Sequence, residues 1–292
     1  NAPKGPNGDE VTPGVKWLTI RSDHNDKYAQ PDGLWIGAKG EPTGVTFEGP
    51  ALKGATNVMI PGVDHRGTAF SPAAFGAMYS FITGHAPSTL DPVVQAAPVL
   101  SGEVTGLGAN SNDPASGNYS NNLPLPGAQL AVYATDPATG ERVGPARYSQ
   151  TITADGRWGP FTAAAGVPYE FAISAPGYAI THIYRSPFPR SSSIVDMHPV
   201  RLSAADQGAG SVITGERPRG YFDAVRDQVS FDGHIPPPGV PAAGVAGVSS
   251  STIKTAASAQ VRSITGILDS ERITGRTWPA AENNAVVLEL TN

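Results

Sequence analysis

The chain has 292 residues, of which 15% are charged, with a net charge of −5 and no cysteine. That length suffices for two or three domains, each with its own core. The weak negative charge offers no basic field for a phosphate backbone, so nucleic acid is not an expected partner, and without cysteine there is no disulfide, thiolate metal site or cysteine nucleophile in these residues.

The first residues, NAPKGPNGDEVTPG (Asn1 to Gly14), lack the pattern of a signal peptide and read as the interior of a longer polypeptide. No apolar run approaches the roughly 18 to 20 residues of a membrane span, so no transmembrane segment is expected. Residues 1–90 have mixed α/β character. VKWLTI (Val15 to Ile20) and NVMI (Asn57 to Ile60) are compact apolar runs that end in polar or Pro-Gly signals and read as strands. A helix follows: Ser71 supplies the N-cap, Pro72 the first helical position and Gly84 the terminating glycine. Phe75, Met78, Tyr79 and Ile82 fall at helical spacing; with Phe70 and Phe81 they read as a core stripe.

From about Pro92 short alternating strands take over. In AQLAVYATD, Ala128, Leu130 and Val132 share one face; in YEFAIS, Tyr169, Phe171 and Ile173 do. The turns PATG, ADGRWG and APGY carry Gly, Pro and Asp where hairpins need them. Residues 93–204 therefore read as a β-sandwich. The polar stretch SAADQGAGS (Ser203 to Ser211) separates it from a second small β domain over 208–292. There GYFDAVRDQVSFDG alternates Tyr221, Val225, Val229 and Phe231, and QVRSITGIL and AVVLEL supply further strands around the loop PPPGVPAAGVAGV. The 34 glycines and 28 prolines fit many tight turns.

His65 carries the first chemical signal. It lies in a loop between the strand NVMI and the capped helix, at the C-terminal end of a strand, where α/β folds gather ligand-binding and catalytic groups. VKWLTI ends likewise in RSDHNDKYAQPDG, which offers Asp23 and Asp26. His24 with these two carboxylates is a candidate metal site, although adjacent loop residues are more often simply polar. Asp64 reads as a turn or cap residue, and His182 and His198, within alternating patterns, as structural. Trp158 and Trp35 read as buried rather than as a lipid- or polymer-binding surface.

KWLTIRSDHNDKYAQP followed by ATNVMIPGVDH and a last helix resembles the closing third of an α/β-hydrolase lipase or esterase, over about residues 14–86. The resemblance implies a fold of α/β class, the closing part of an α/β-hydrolase, followed by all-β C-terminal sandwich domains. It implies a Ser-Asp-His triad in which Asp26 is the acid, with Asp23 as second choice, and His65 is the base. LSGEVTG, LPGAQLAVYATDPATGERV, ADGRWGPF and VPYEFAISAPGY further resemble the prealbumin-like modules attached to secreted hydrolases, which are usually without catalysis.

No serine lies in a G-x-S-x-G elbow: Ser249 has Gly247 before it but Ser251 after it. The resemblance therefore implies a partner, an N-terminal hydrolase segment or chain that carries the nucleophilic serine and oxyanion hole, together with an acyl ester or lipid substrate, an extracellular location and no cofactor. The rival expectation is a non-catalytic β-sandwich binding or adhesion module with a degenerate hydrolase remnant. No H-x-x-E or H-E-x-x-H motif supports a peptidase role.

Overall fold

The computed structural model describes residues 8–23, 25, 26, 48–108, 119–244 and 247–291. The chain divides into two compact units: Asn1–Asp91 with Arg217–Asp227 and Val240–Ser249, and Pro92–Glu216 with Gln228–Gly239 and Ser250–Asn292.

In the first unit β1 (Leu18–Arg21) and β2 (Thr56–Met59) pair in parallel, Leu18 beside Thr56 and Arg21 beside Met59. Asn57 locks the approach to β2: its Oδ1 accepts from Leu52 N and Thr19 Oγ1, while its Nδ2 donates to the carbonyls of Leu52 and Ala55. After the turn come α1 (Gly67–Phe70) and α2 (Pro72–Thr83). Ser71 Oγ accepts from Ala74 N at 3.1 Å, and Gly84, at φ 83°, ends the helix with its N–H on Ser80 O. Both caps form as the sequence predicts. The stripe is not core, however: Ala74 is the buried residue of α2, while Phe75 is 46% and Ile82 80% exposed. Periodicity determines which residues share a face and says nothing of what covers it.

The second unit holds β3 (Val99–Glu103), β4 (Thr105–Gly108), β5 (Tyr119–Pro124), β6 (Gln129–Ala134), β7 (Tyr148–Thr151), β8 (Arg157–Thr162), β9 (Tyr169–Ser174) and β10 (Ile180–Arg185). After α3 (Ala204–Gln207) follow β11 (Val212–Glu216), β12 (Val229–Phe231), β13 (Ser250–Lys254), β14 (Ser263–Leu268), β15 (Glu271–Arg276) and β16 (Asn284–Glu289). Seven of these strands form one sheet in the order β13-β11-β16-β10-β9-β6-β7. β10, β16 and β11 run parallel to one another, and the remaining pairs are antiparallel. Strands from 93–204 and from 208–292 thus share a continuous ladder. The polar stretch at 203–211 contains α3, closed by a capping box between Ser203 and Asp206.

Strand alternation gives this sheet two different faces. Val132, Phe171, Ile183 and Val287 lie side by side across β6, β9, β10 and β16, all buried. They pack with Leu100 of β3 and with Trp158 and Phe161 of β8, through which the β3–β8 pair closes the sandwich, and with Val104 just past β3. Trp158 is buried, its indole N–H on Val195 O at 2.9 Å. On the opposite face Tyr184 and Leu288 lie against Gly275 of β15. A Cβ at Gly275 would sit 2.7 Å from Leu288 Cδ2 and 2.8 Å from Tyr184 Cδ2, so this contact requires glycine.

One sequence expectation fails in the segment Tyr221–Phe231: only its last three residues are strand. Asp223 Oδ1 accepts from the N–H groups of Val225 and Arg226, Asp227 Oδ2 accepts from Asp223 N, and Arg217 and Arg226 bind the Asp227 carboxylate. Aspartates that capture nearby backbone N–H groups favour a turn over a ladder, and Val225 is accordingly 72% exposed.

The second sheet face also buries charge. Glu170 is fully buried; its carboxylate receives two bonds from Arg142, at 2.8 and 2.6 Å, and one from His182 Nδ1 at 2.6 Å. His182 Nε2 meets Asn284 Oδ1 at 3.0 Å, and Asn284 Nδ2 donates to Pro279 O and Glu282 O, which fixes the amide orientation. The His182 ring stacks on Trp278 at 4.0 Å. Burial pulls the Glu170 carboxyl upward, but the Arg142 and His182 hydrogen bonds outweigh it and hold the group below its ordinary range. This network joins β9, β10 and β16. Glu170→Ala strands two donors in the interior and should lower stability by about 3–5 kcal/mol, measured by denaturant unfolding at pH 7. A depressed carboxylate stabilises above its unfolded pKa and loses that contribution as pH falls through the folded value. The deficit should therefore shrink in acid.

Candidate functional site

The site grows from the C-terminal ends of β1 and β2. Just past β1, Ser22 is fully buried and donates to Val63 O at 2.5 Å, which binds the first loop to the second. Asp23 shapes that loop: Oδ1 accepts from Asn25 N and Nδ2, both at 3.0 Å, and Oδ2 accepts from Gly62 N at 2.8 Å. Asp23 O in turn accepts from Asp26 N at 3.0 Å. The resulting turn directs the next carboxylate toward the β2 loop, where Gly62 takes φ 80°, the conformation that the Pro-Gly sequence allows.

Asp26 and His65, 39 positions apart, meet there, with Nδ1 and Oδ2 3.0 Å apart. The Asp26 side chain is 8% exposed and that of His65 47%. A largely buried carboxylate on Nδ1 selects the tautomer with its proton on that nitrogen and directs the basic lone pair to Nε2, on the far edge of the ring. Such an arrangement can take up a proton at Nε2 and stabilise the imidazolium that forms.

Asp64 has a different role, closer to the cap expected from sequence. It is buried; Oδ1 accepts from Gly67 N at 2.8 Å at the start of α1, and Oδ2 accepts from Tyr221 N at 2.8 Å and pairs with Arg226 at 3.2 Å. Arg66 adds bonds to the carbonyls of Arg217 and Pro218. Both residues beside His65 are thus anchored to the segment 217–227, which holds the histidine loop in place. Sequence spacing could not reveal this partner, whose bonds lie 151 to 162 positions away.

His24 and Trp35 lie outside the described residues. Among the described residues no group of three or more His, Asp or Glu is arranged to hold a metal ion. No described helix is long and apolar enough to cross a membrane. His182 lies in the buried network of Glu170 and Arg142, and His198 lines a cleft of the second unit.

Residues 99–202, which contain the β3–β8 pair and the adjoining half of the seven-stranded sheet, match the family model of the lipase C-terminal domain. This stretch is similar to the C-terminal domain of lipases. No curated protein matches the chain. Among solved structures, the shaft pilin SpaA of Lactobacillus rhamnosus GG aligns at 10% identity over 67% of this chain and 97% of that one, with a TM-score of 0.23, a likeness too loose to carry an argument.

The geometry assigns different work to the two aspartates, and proton NMR separates them. An exchange-slowed Nδ1 proton of His65, shifted downfield by Asp26, should vanish in Asp26→Ala. It should persist in Asp23→Asn, which keeps one acceptor for the loop amides.

Proposed function

We propose that this chain is part of a serine carboxylic ester hydrolase of lipase type. Asp26 and His65 form its acid-base half, and the nucleophilic serine and oxyanion hole are supplied from outside these 292 residues. The observation that carries the reading is the 3.0 Å contact of Asp26 Oδ2 with His65 Nδ1 at the ends of two parallel strands. The lipase C-terminal domain match over 99–202 supports the substrate class.

In this reading Nε2 of His65 takes the proton of the serine hydroxyl as it attacks the ester carbonyl and returns it to the leaving alcohol. Water then releases the acid from the acyl-enzyme by the same relay. Asp26 orients the ring and balances its positive charge; Asp23 acts only through the shape of the loop. No cofactor is required, and an extracellular ester or lipid is the expected substrate. Residues 1–90 are the closing part of the hydrolase domain, and the strands of 93–204 and 208–292, seven of them joined in one sheet, accompany it.

Exposed apolar side chains of the first unit support a partner segment. Trp17 is 42%, Phe70 60%, Phe75 46% and Ile82 80% exposed, more apolar surface than one small α/β unit needs to leave in water. The occupant proposed for them is the serine-bearing segment. A second reading, a non-catalytic binding module, draws on the missing elbow motif. The two part company in an ester hydrolysis assay of the complete protein with its serine segment. His65→Ala should lower kcat/KM by roughly three to four orders of magnitude and Asp26→Asn by a similar factor, with folding unchanged by circular dichroism. Undiminished turnover in His65→Ala would remove the assignment.

A further inference from the structure

A cleft of about 630 Å³ opens on the second unit, floored by β11 and β13 and walled by the segment around His198 and Val200. Its floor is set by strand register. Glu216 lies beside Ser250 of β13 on one side and beside Glu289 of β16 on the other, and Glu289 lies beside Arg185 of β10. One row across the sheet thus reads Arg185, Glu289, Glu216, Ser250. The next row toward the strand centres includes Thr214 beside Thr252, their hydroxyls 3.1 Å apart. Both rows continue the face that buries Ile183 and Val287 in the sandwich, but here the face is polar.

Two carboxylates in this row share one guanidinium. Arg185 pairs with Glu289 at 2.5 Å and also donates to Asp196 O, so among the described residues no side chain is left to match the charge of the half-buried Glu216. Burial and the adjacent Glu289 push the Glu216 carboxyl up to about 7, against a smaller opposing pull from Arg185. The remaining titratable neighbour, His198, is held below its ordinary value by burial and brings little positive charge. The cleft's cations stand elsewhere. Lys254 pairs with Asp206 at 2.7 Å and lies in register with Val212, roughly 13 Å along the strand from Glu216. Arg201 stacks on Tyr178 and bonds its hydroxyl.

We propose that this cleft binds a primary alkylammonium group, the ammonium seated on Glu216 and the hydroxyls of Ser250 and Thr214, with its aliphatic stem along Val200. An ammonium has three donors and no acceptor, and this end of the cleft offers a carboxylate and two hydroxyl oxygens. The ligand's charge replaces the proton that Glu216 otherwise retains, so binding must strengthen as pH rises through 7. The inference is independent of the ester hydrolase reading.

The test is calorimetric titration of the purified chain with n-butylammonium chloride, against tetramethylammonium chloride at equal ionic strength as a cation without N–H donors. Saturable butylammonium binding is expected at pH 8, with a Kd on the order of millimolar for so small a ligand. At pH 5.5, where the ligand keeps its charge and Glu216 does not, Kd should rise by roughly tenfold or more. Glu216→Gln, which keeps the shape and relieves the buried charge, should abolish binding at pH 8. Absence of saturable binding at pH 8, equal binding by Glu216→Gln, or equal binding of tetramethylammonium would each overturn the proposal.

Discussion

Parallel pairing of β1 with β2 is the constraint on which the site depends. Two strands distant in sequence are locked in register from Leu18–Thr56 to Arg21–Met59, so their C-terminal ends emerge side by side. The loops leaving those ends need only short turns to bring Asp26 onto His65. Each turn has its own fastening: Asp23 on Gly62 N and Asn25, Ser22 on Val63 O, Asp64 on the start of α1 and on Tyr221 N. The imidazole is half exposed while its carboxylate is buried, the asymmetry that a base needs if it is to be oriented from one side and exchange protons on the other.

A second parallel seam organises the β unit. β16, the last strand of the chain, inserts between β10 and β11 and makes one sheet from strands that the sequence separates by a polar stretch. Both faces of that seam carry buried or half-buried charge. Beneath Trp278 the charge is compensated, with Glu170 held by Arg142 and His182 and linked to β16 through Asn284. On the other face the row of Arg185, Glu289 and Glu216 leaves one carboxylate in excess. Apolar burial at Ile183 and Val287 favours association of the strands. The polar rows fix which residue stands beside which, because a slip of one position would bury unpaired charge.

Local chemistry made much of this legible in the sequence. The caps of α2 follow from Ser71, Pro72 and Gly84, and the sandwich strands from the alternation of Leu130 with Val132 and of Phe171 with Ile173. The strand ends offered His65 with either Asp23 or Asp26, and only the resemblance to lipases favoured Asp26. What the sequence hid depends on long-range register. Glu170 lies between two core residues and reads as a polar interruption until Arg142 and His182 close on it. Asp223 and Asp227 turned a seemingly alternating strand into a loop by capturing backbone N–H groups. Glu216 is unremarkable until register sets it beside Glu289. The α2 stripe shows the same limit from the other side, since a helix pattern predicts a face to be covered without naming the cover.

Labelling with a fluorophosphonate, which reacts only with a serine made nucleophilic by a working base, tests the central claim most directly. It would be applied to the protein as isolated from its source, followed by peptide mass spectrometry, with His65→Ala as the comparison. The account predicts a single labelled serine in a peptide outside these 292 residues, with labelling lost in the variant. A label on a serine within them, or no label on the intact protein, would contradict it.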